Sequence, residues 1–201
     1  MVPQLGNRLH FQEELQRLEE QALTGIDLVA RTLDRTREAV REQDVELASL
    51  VIADDDLIDG LYLQVHQGVL SLMALQAPVA TDLRLVAAIL DVIKHIERMG
   101  DGCVNVAKLI PLAGNEPPRQ PGMVEDLDRM AVQAKSQVLQ AGDDADTREW
   151  AMTMMLMARA IERIGDNAVD IGEQVAFVVT GLFREFTDAS HPEAVPPGAA
   201  T

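Results

Sequence analysis

Ile96-Glu97-Arg98-Met99-Gly100-Asp101-Gly102-Cys103-Val104-Asn105-Val106 decides the fold, because the chain reads it twice. The second reading comes 65 residues later, as Ile161-Glu162-Arg163-Ile164-Gly165-Asp166-Asn167-Ala168-Val169-Asp170-Ile171. Packing alone preserves an apolar pattern. It gives no reason to keep a Glu, a Gly and an Asp at the same offsets, so the chain contains an internal repeat. In each copy the acidic and amide residues fall at i, i+4 and i+8, which places them on one stripe of a helix.

The flanks of both copies also read as helix. Prolines stand at 3, 78, 111, 117, 118, 121, 192, 196 and 197, leaving 4–77, 79–110 and 122–191 without one. Blocks of that length rich in Leu, Ala, Glu and Arg are long helices. Phe11, Leu15, Leu18, Ala22, Ile26, Val29, Leu33 and Val40 recur at helical spacing and predict a first helix over about 8–42. Asp44 caps a second helix over about 45–75, with Leu47, Leu50, Val51, Ile58, Leu61, Val65, Val69 and Leu72 inward. Thr81 or Asp82 caps a third, reaching about Ile110. Short connections make these three an up-down-up bundle. Residues 113–122 form a linker, 124–141 a fourth helix, and 147–186 a last helix. The Pro- and Ala-rich stretch 187–201 is a disordered tail.

Composition limits the function. The net charge is −16, with 17 Lys and Arg against 33 Asp and Glu. Nucleic acid and anionic lipid both call for a basic face, so neither is a direct partner. One cysteine, Cys103, rules out an intrachain disulfide and a cysteine-built zinc site. No apolar run has the length of a signal peptide or a bilayer span, so the expected location is the cytoplasm.

The chemistry-bearing residues are carboxylates. Glu97 and Asp101 form one ladder and Glu162 and Asp166 another, with Asn105 and Asp170 as extensions. Asp55 and Asp59 form a third pair on the second helix. Antiparallel packing of the second and third helices lets Asp55 and Asp59 face Glu97 and Asp101. Facing carboxylates repel unless they are protonated or bridged by a cation. Oxygen-rich sites suit Mg, Ca, Mn or Fe. The plainer alternative is surface salt bridging, with Lys94 three residues before Glu97 and Arg159 three before Glu162. Gly100 and Gly165 argue for more than a surface stripe: glycine weakens a helix, and makes sense where another backbone or a cluster comes close. His10, His66, His95 and His191 are scattered, and none stands three residues after a Glu, as di-iron carboxylate sites require. The sequence contains no nucleophile elbow, phosphate loop or dinucleotide fingerprint.

These residues carry a resemblance. Gln76-Ala77-Pro78-Val79-Ala80-Thr81-Asp82-Leu83-Arg84 followed by Ile96–Asp101 is similar to the signature of the PhoU family. So is 158–166, closed by Val179-Thr180-Gly181, and Asp55–Asp59 fits the family's acidic segment. The resemblance implies an all-α, PhoU-like antiparallel helix bundle, with a three-helix repeat at 8–112 and a second, shortened repeat at 123–186. It implies a non-enzymatic negative regulator of phosphate uptake and of the phosphate-starvation response. In that role the protein is an adaptor between the ATPase subunit of a phosphate ABC transporter and a sensor histidine kinase, meeting the membrane only through these partners. It implies iron or zinc clusters on Asp55, Asp59, Glu97, Asp101, Glu162 and Asp166. The competing reading is a metal store or metal-dependent enzyme built on the same ladders.

This chain departs from the pattern in one respect. Leu18 to Glu97 spans 79 residues, whereas Leu127 to Glu162 spans 35, so the second repeat lacks 44. No Asp-x-x-x-Asp pair remains to face Glu162 and Asp166. Either the remaining hairpin packs on the first bundle, or a second chain supplies the missing face. The second case predicts a homodimer through Met152, Met155, Ile161 and Val169.

Overall fold

The computed structural model describes residues 3–75, 78, 80–112 and 145–183. Among them are α1 (Pro3–Glu42), α2 (Val45–Leu75), α3 (Ala80–Leu109), a 3₁₀ turn (Ile110–Leu112) and α4 (Ala145–Thr180), with no strand. The expected linker at 113–122, helix at 124–141 and tail at 187–201 lie outside the described residues.

α1, α2 and α3 pack on one another as the up-down-up bundle. Phe11, Leu18, Val40, Val51, Ile58, Val65, Ile93 and Ile96 fill its centre, each almost fully buried. Burying one such side chain stabilises by roughly 1.5–3 kcal/mol, which outweighs the helix propensities of the Val and Ile residues. The inward pattern read from the sequence holds along α1. On α2 it fails at Leu50, which is 56% exposed. Thr32 and Thr36 are buried in α1 and satisfy their hydroxyls by donating to the carbonyls of Leu28 and Thr32.

The α1–α2 corner is set by Gln43, in the left-handed region at φ 52°, and by Asp44, whose Oδ1 accepts from the Leu47 amide at 2.9 Å. The start of α3 differs from expectation. The helix begins at Ala80, so Thr81 and Asp82 lie in its first turn instead of capping it. Asp82 is held by Arg8 of α1 at 2.9 Å, and a carboxylate there complements the helix N-terminus.

Among the described residues α4 docks chiefly on α3. The two run antiparallel: Arg84 lies beside Gly181, His95 beside Asn167, and Gly102 beside Ile164. Gly102 permits the approach, since a Cβ there would stand 2.6 Å from Ile164 Cγ1. Gly181 ends α4 at φ 72°, and a Cβ there would meet the Arg84 guanidinium at 2.7 Å. The cationic group thus sits at the negative end of the α4 dipole.

Candidate carboxylate site

α2 presents Asp55 and Asp59 one turn apart, with Ile58 between them wholly buried. Ile58 pins this stretch of α2 onto α3 at Gly100. A Cβ on Gly100 would stand 2.9 Å from Ile58 Cδ1 and 3.0 Å from Asp55 Oδ1. The missing side chain therefore lets the Asp55 carboxylate lie against the α3 backbone, beside Glu97 and Asp101. The neighbouring Asp54 is drawn away by an ion pair with Arg35 of α1.

Asp55 and Glu97 feel the charges of the neighbouring carboxylates. Burial, then the charges of Asp59, Asp101, Glu97 and Asp56, push the Asp55 carboxyl up from 3.8 to about 6. Burial, then Asp101 and Asp59, raise Glu97 above its ordinary value, and Arg98 only partly offsets this. Lys94 does not relieve Glu97: it lies 3.8 Å from Asp91 instead. Cys103, one turn below Gly100, is buried; desolvation, with the Asp55 charge adding to it, pushes its thiol up to about 11 despite a hydrogen bond with Thr36. It is an inert core thiol.

Two raised carboxyls beside two more, all oxygen donors, have the charge that a hard cation neutralises. The geometry is less advanced. Among the described residues, no three or more His, Cys, Asp and Glu side chains gather closely enough to hold a metal ion. The site suits a cation in donor type and charge; as placed, it does not converge on one point.

The second ladder is differently situated. Glu162 and Asp166 are exposed, and a Cβ on Gly165 would meet nothing within 4 Å. No described helix faces this pair as α2 faces Glu97 and Asp101. The motif is repeated, but its surroundings are not.

His95, set aside at the sequence level, turns out to be buried between α3 and α4. Its Nδ1 lies 2.9 Å from Asn167 Oδ1 and 3.4 Å from Asp170 Oδ2. Asn167 Nδ2 donates to the Arg163 carbonyl at 2.6 Å, which turns the amide oxygen to the imidazole, so Nδ1 is the donor. Asp170, the expected extension of a metal ladder, belongs to this contact. The signal for it was His95 preceding the first copy and Asn167 standing where that copy has Gly102.

Comparison with known proteins follows the same division. A PhoU domain profile matches residues 25–110 and 123–175. Over 109 residues, 54% of this chain and 49% of the relative, the chain is 38% identical to the phosphate-specific transport system accessory protein PhoU homolog of Aquifex aeolicus. That alignment spans about half of the Aquifex protein. Longer alignments reach the Synechocystis homolog at 28% identity, with 87% of this chain and 93% of the relative covered. PhoU homolog 2 of Mycobacterium tuberculosis is also 28% identical, with 88% and 99% covered. Two crystal structures share the fold. PhoU from Pseudomonas aeruginosa has a TM-score of 0.73 at 24% identity, with 86% of this chain and 100% of that chain covered. The phosphate transport system regulatory protein PhoU from Streptococcus pneumoniae has 0.72 at 22%, with 88% and 100% covered. None of these names describes a metal store or an enzyme, so that alternative gains no support.

Proposed function

This chain belongs to the PhoU family, and from that membership we propose that it is a non-enzymatic regulator of phosphate uptake. In this reading it joins the ATPase subunit of a phosphate ABC transporter to a sensor histidine kinase, and holds phosphate-starvation genes off when phosphate is abundant. The observation that carries the reading is the profile match across both copies of the repeated motif. The relatives' names, which place them as accessory proteins of phosphate-specific transport, support it. No helix among the described residues is long and apolar enough to cross a membrane, which suits a cytoplasmic protein that reaches the membrane through its partners. Long helices offer extended faces for docking on partner helices.

The metal belongs to the same proposal. Asp55, Asp59, Glu97 and Asp101 would hold an iron or zinc cluster, with α2 and α3 closing on it; the raised Asp55 carboxyl supports this. The bound cation would supply charge neutralisation between two acidic helix faces. Glu162 and Asp166 would hold metal only if a further element completes their site.

Gene deletion tests the role. Loss of the gene, in a strain with no paralogue, should raise phosphatase expression in phosphate-rich medium, and restoring the gene should lower it again. A starvation response that stays fully phosphate-controlled after deletion would falsify the regulatory reading.

A further inference from the structure

α2 is apolar on two sides. Its inner side, with Val51, Ile58, Val65, Val69 and Leu72, lies in the core of the bundle. Its outer side carries Leu63 and Leu70, each 54% exposed, and Met73, 42% exposed. A helix apolar all round belongs in an interior, and this one is open to solvent on its outer side. The exposed residues follow a period. Asp56, Asp59, Leu63, His66, Leu70 and Met73 are spaced three, four, three, four and three, which is one stripe of a helix and the seam of a helix pair. Along that stripe, acid gives way to apolar surface.

α3 repeats the order beside it. Leu83, Leu90 and Glu97 stand seven apart, on one stripe that Asp101 continues. The helices are antiparallel, with Ile58 of α2 on Gly100 of α3, so Leu70 and Met73 lie beside the stretch from Leu83 to Leu90. Leu83 is itself 45% exposed. The two helices thus present one open face, apolar toward the α2–α3 corner and acidic at mid-bundle. Among the described residues, no cation answers the acidic end in full. α2 has no Lys or Arg. Arg35 is taken by Asp54, Lys94 lies at Asp91, and Arg98 only partly offsets the charge around Glu97. Asp55, pushed up to about 6 by burial and then by its acidic neighbours, records the imbalance.

These charges select the occupant. Anionic lipid and nucleic acid are repelled. A second copy brings the same aspartates, either against each other or against the leucines. What complements the face is a helix with an apolar stripe at one end and Lys or Arg at the other. We infer that the open face of α2 and α3 is the docking surface for a cationic amphipathic helix of a partner protein, with apolar anchors on Leu63, Leu70 and Leu83 and cations beside Asp56 and Asp59. The inference rests on the regulatory reading for the existence of a partner, and deepens it by placing the contact. It needs no metal.

Fluorescence anisotropy on the chelator-treated full chain, with a labelled synthetic peptide as the probe, tests the docking. The peptide is a helix of about 18 residues, the length of the stripe, with leucines three and four apart in one half and lysines in the other. It should bind, and its counterpart with glutamates for lysines should not. Leu63→Asp and Leu70→Asp, each made at an exposed position, should keep the helical circular dichroism and weaken binding at least ~10-fold. Each adds a negative charge, so a mere attraction of the cationic peptide to an acidic chain would strengthen instead. Asp56→Lys with Asp59→Lys should weaken binding by a similar factor, whereas Glu13→Lys with Glu19→Lys, exposed on α1, should change it little. Binding that ignores Leu70→Asp, or that is equally strong with the glutamate peptide, would overturn the inference. So would a dimer that Leu70→Asp dissolves, which gives the face to a second copy. In a deletion strain, the wild-type gene should restore phosphate control and the double variant Leu63→Asp with Leu70→Asp should not. If both restore it, this face does not dock the partner and the regulatory reading stands. If neither does, the regulatory reading fails, and the peptide titration alone decides the face.

Discussion

Gly100 of α3 lies against Asp55 of α2 so closely that a single added carbon would stand 3.0 Å from the carboxylate oxygen. The glycine is where it is because the acidic face needs the two helices near each other. Gly60, one residue beyond Asp59, has open space around its missing Cβ.

The two glycines should therefore respond oppositely to alanine. Gly60→Ala should stabilise by about 0.5–1 kcal/mol, the helix-propensity gain alone. Gly100→Ala makes the same gain but must displace Ile58 and Asp55, and should destabilise by about 1–2 kcal/mol net. Urea denaturation of both variants would measure the signs. A stabilised Gly100→Ala would mean that α2 yields freely at this contact.

The Asp55 carboxyl predicts a pH dependence of stability. Its folded value, about 6, lies above the ordinary 3.8, so the folded state takes up its proton first. In metal-free protein this group therefore makes stability fall as pH rises from about 3.8 to about 6, with the loss complete above that range. Asp55→Asn removes the ionised form and should gain about 1 kcal/mol at pH 7, discounted because the group is part-exposed. The gain should vanish below about pH 4. Chelator-treated protein melted at pH 4 and pH 7 would show it, and an equal effect at both values would contradict it.

The first bundle was legible because its core residues repeat at helical spacing, and burial enforces that spacing. The meeting of Asp55 with Gly100 was legible for a different reason: antiparallel helices joined by a short connection bring those levels together. The environment of Glu162 and Asp166 was only half legible. Chain counting predicts that a facing segment is missing, but not that the pair stands open. Leu50 was misread because an apolar residue beside the seam of α2 has no sequence mark separating it from one within it. The His95–Asn167 contact was missed because it joins residues 72 positions apart. Such pairing depends on which face α4 turns to α3, and the helical period alone leaves that open.

His95 should hold α4 in place more than any other polar group at its interface. His95→Ala leaves Asn167 Oδ1 buried without its donor, in addition to the lost packing, and should cost about 1–3 kcal/mol. Asn167→Ala leaves the imidazole only its longer, 3.4 Å contact with Asp170 and should cost less than His95→Ala. The double variant should cost less than the two added together, because each single change weakens the pairing of the other side chain. Strict additivity in thermal or urea melts would show that the two side chains are not energetically coupled.

The two carboxylate ladders should differ in metal retention. Glu97 and Asp101 have Asp55 and Asp59 across from them, held close by Ile58 on Gly100. Glu162 and Asp166 carry the same motif, exposed beside an open Gly165. A cation gains more from four neighbouring charges, part of them half-buried, than from two solvated ones, because water already screens an exposed pair. Asp59→Ala combined with Asp101→Ala should therefore remove most of the iron, zinc or manganese from purified protein, whereas Asp166→Ala should remove little. Metal analysis after dialysis would read the difference directly. If the double variant keeps its metal, the α2–α3 face is not the site. Equal losses from both ladders would mean that a second chain or another element completes the α4 pair.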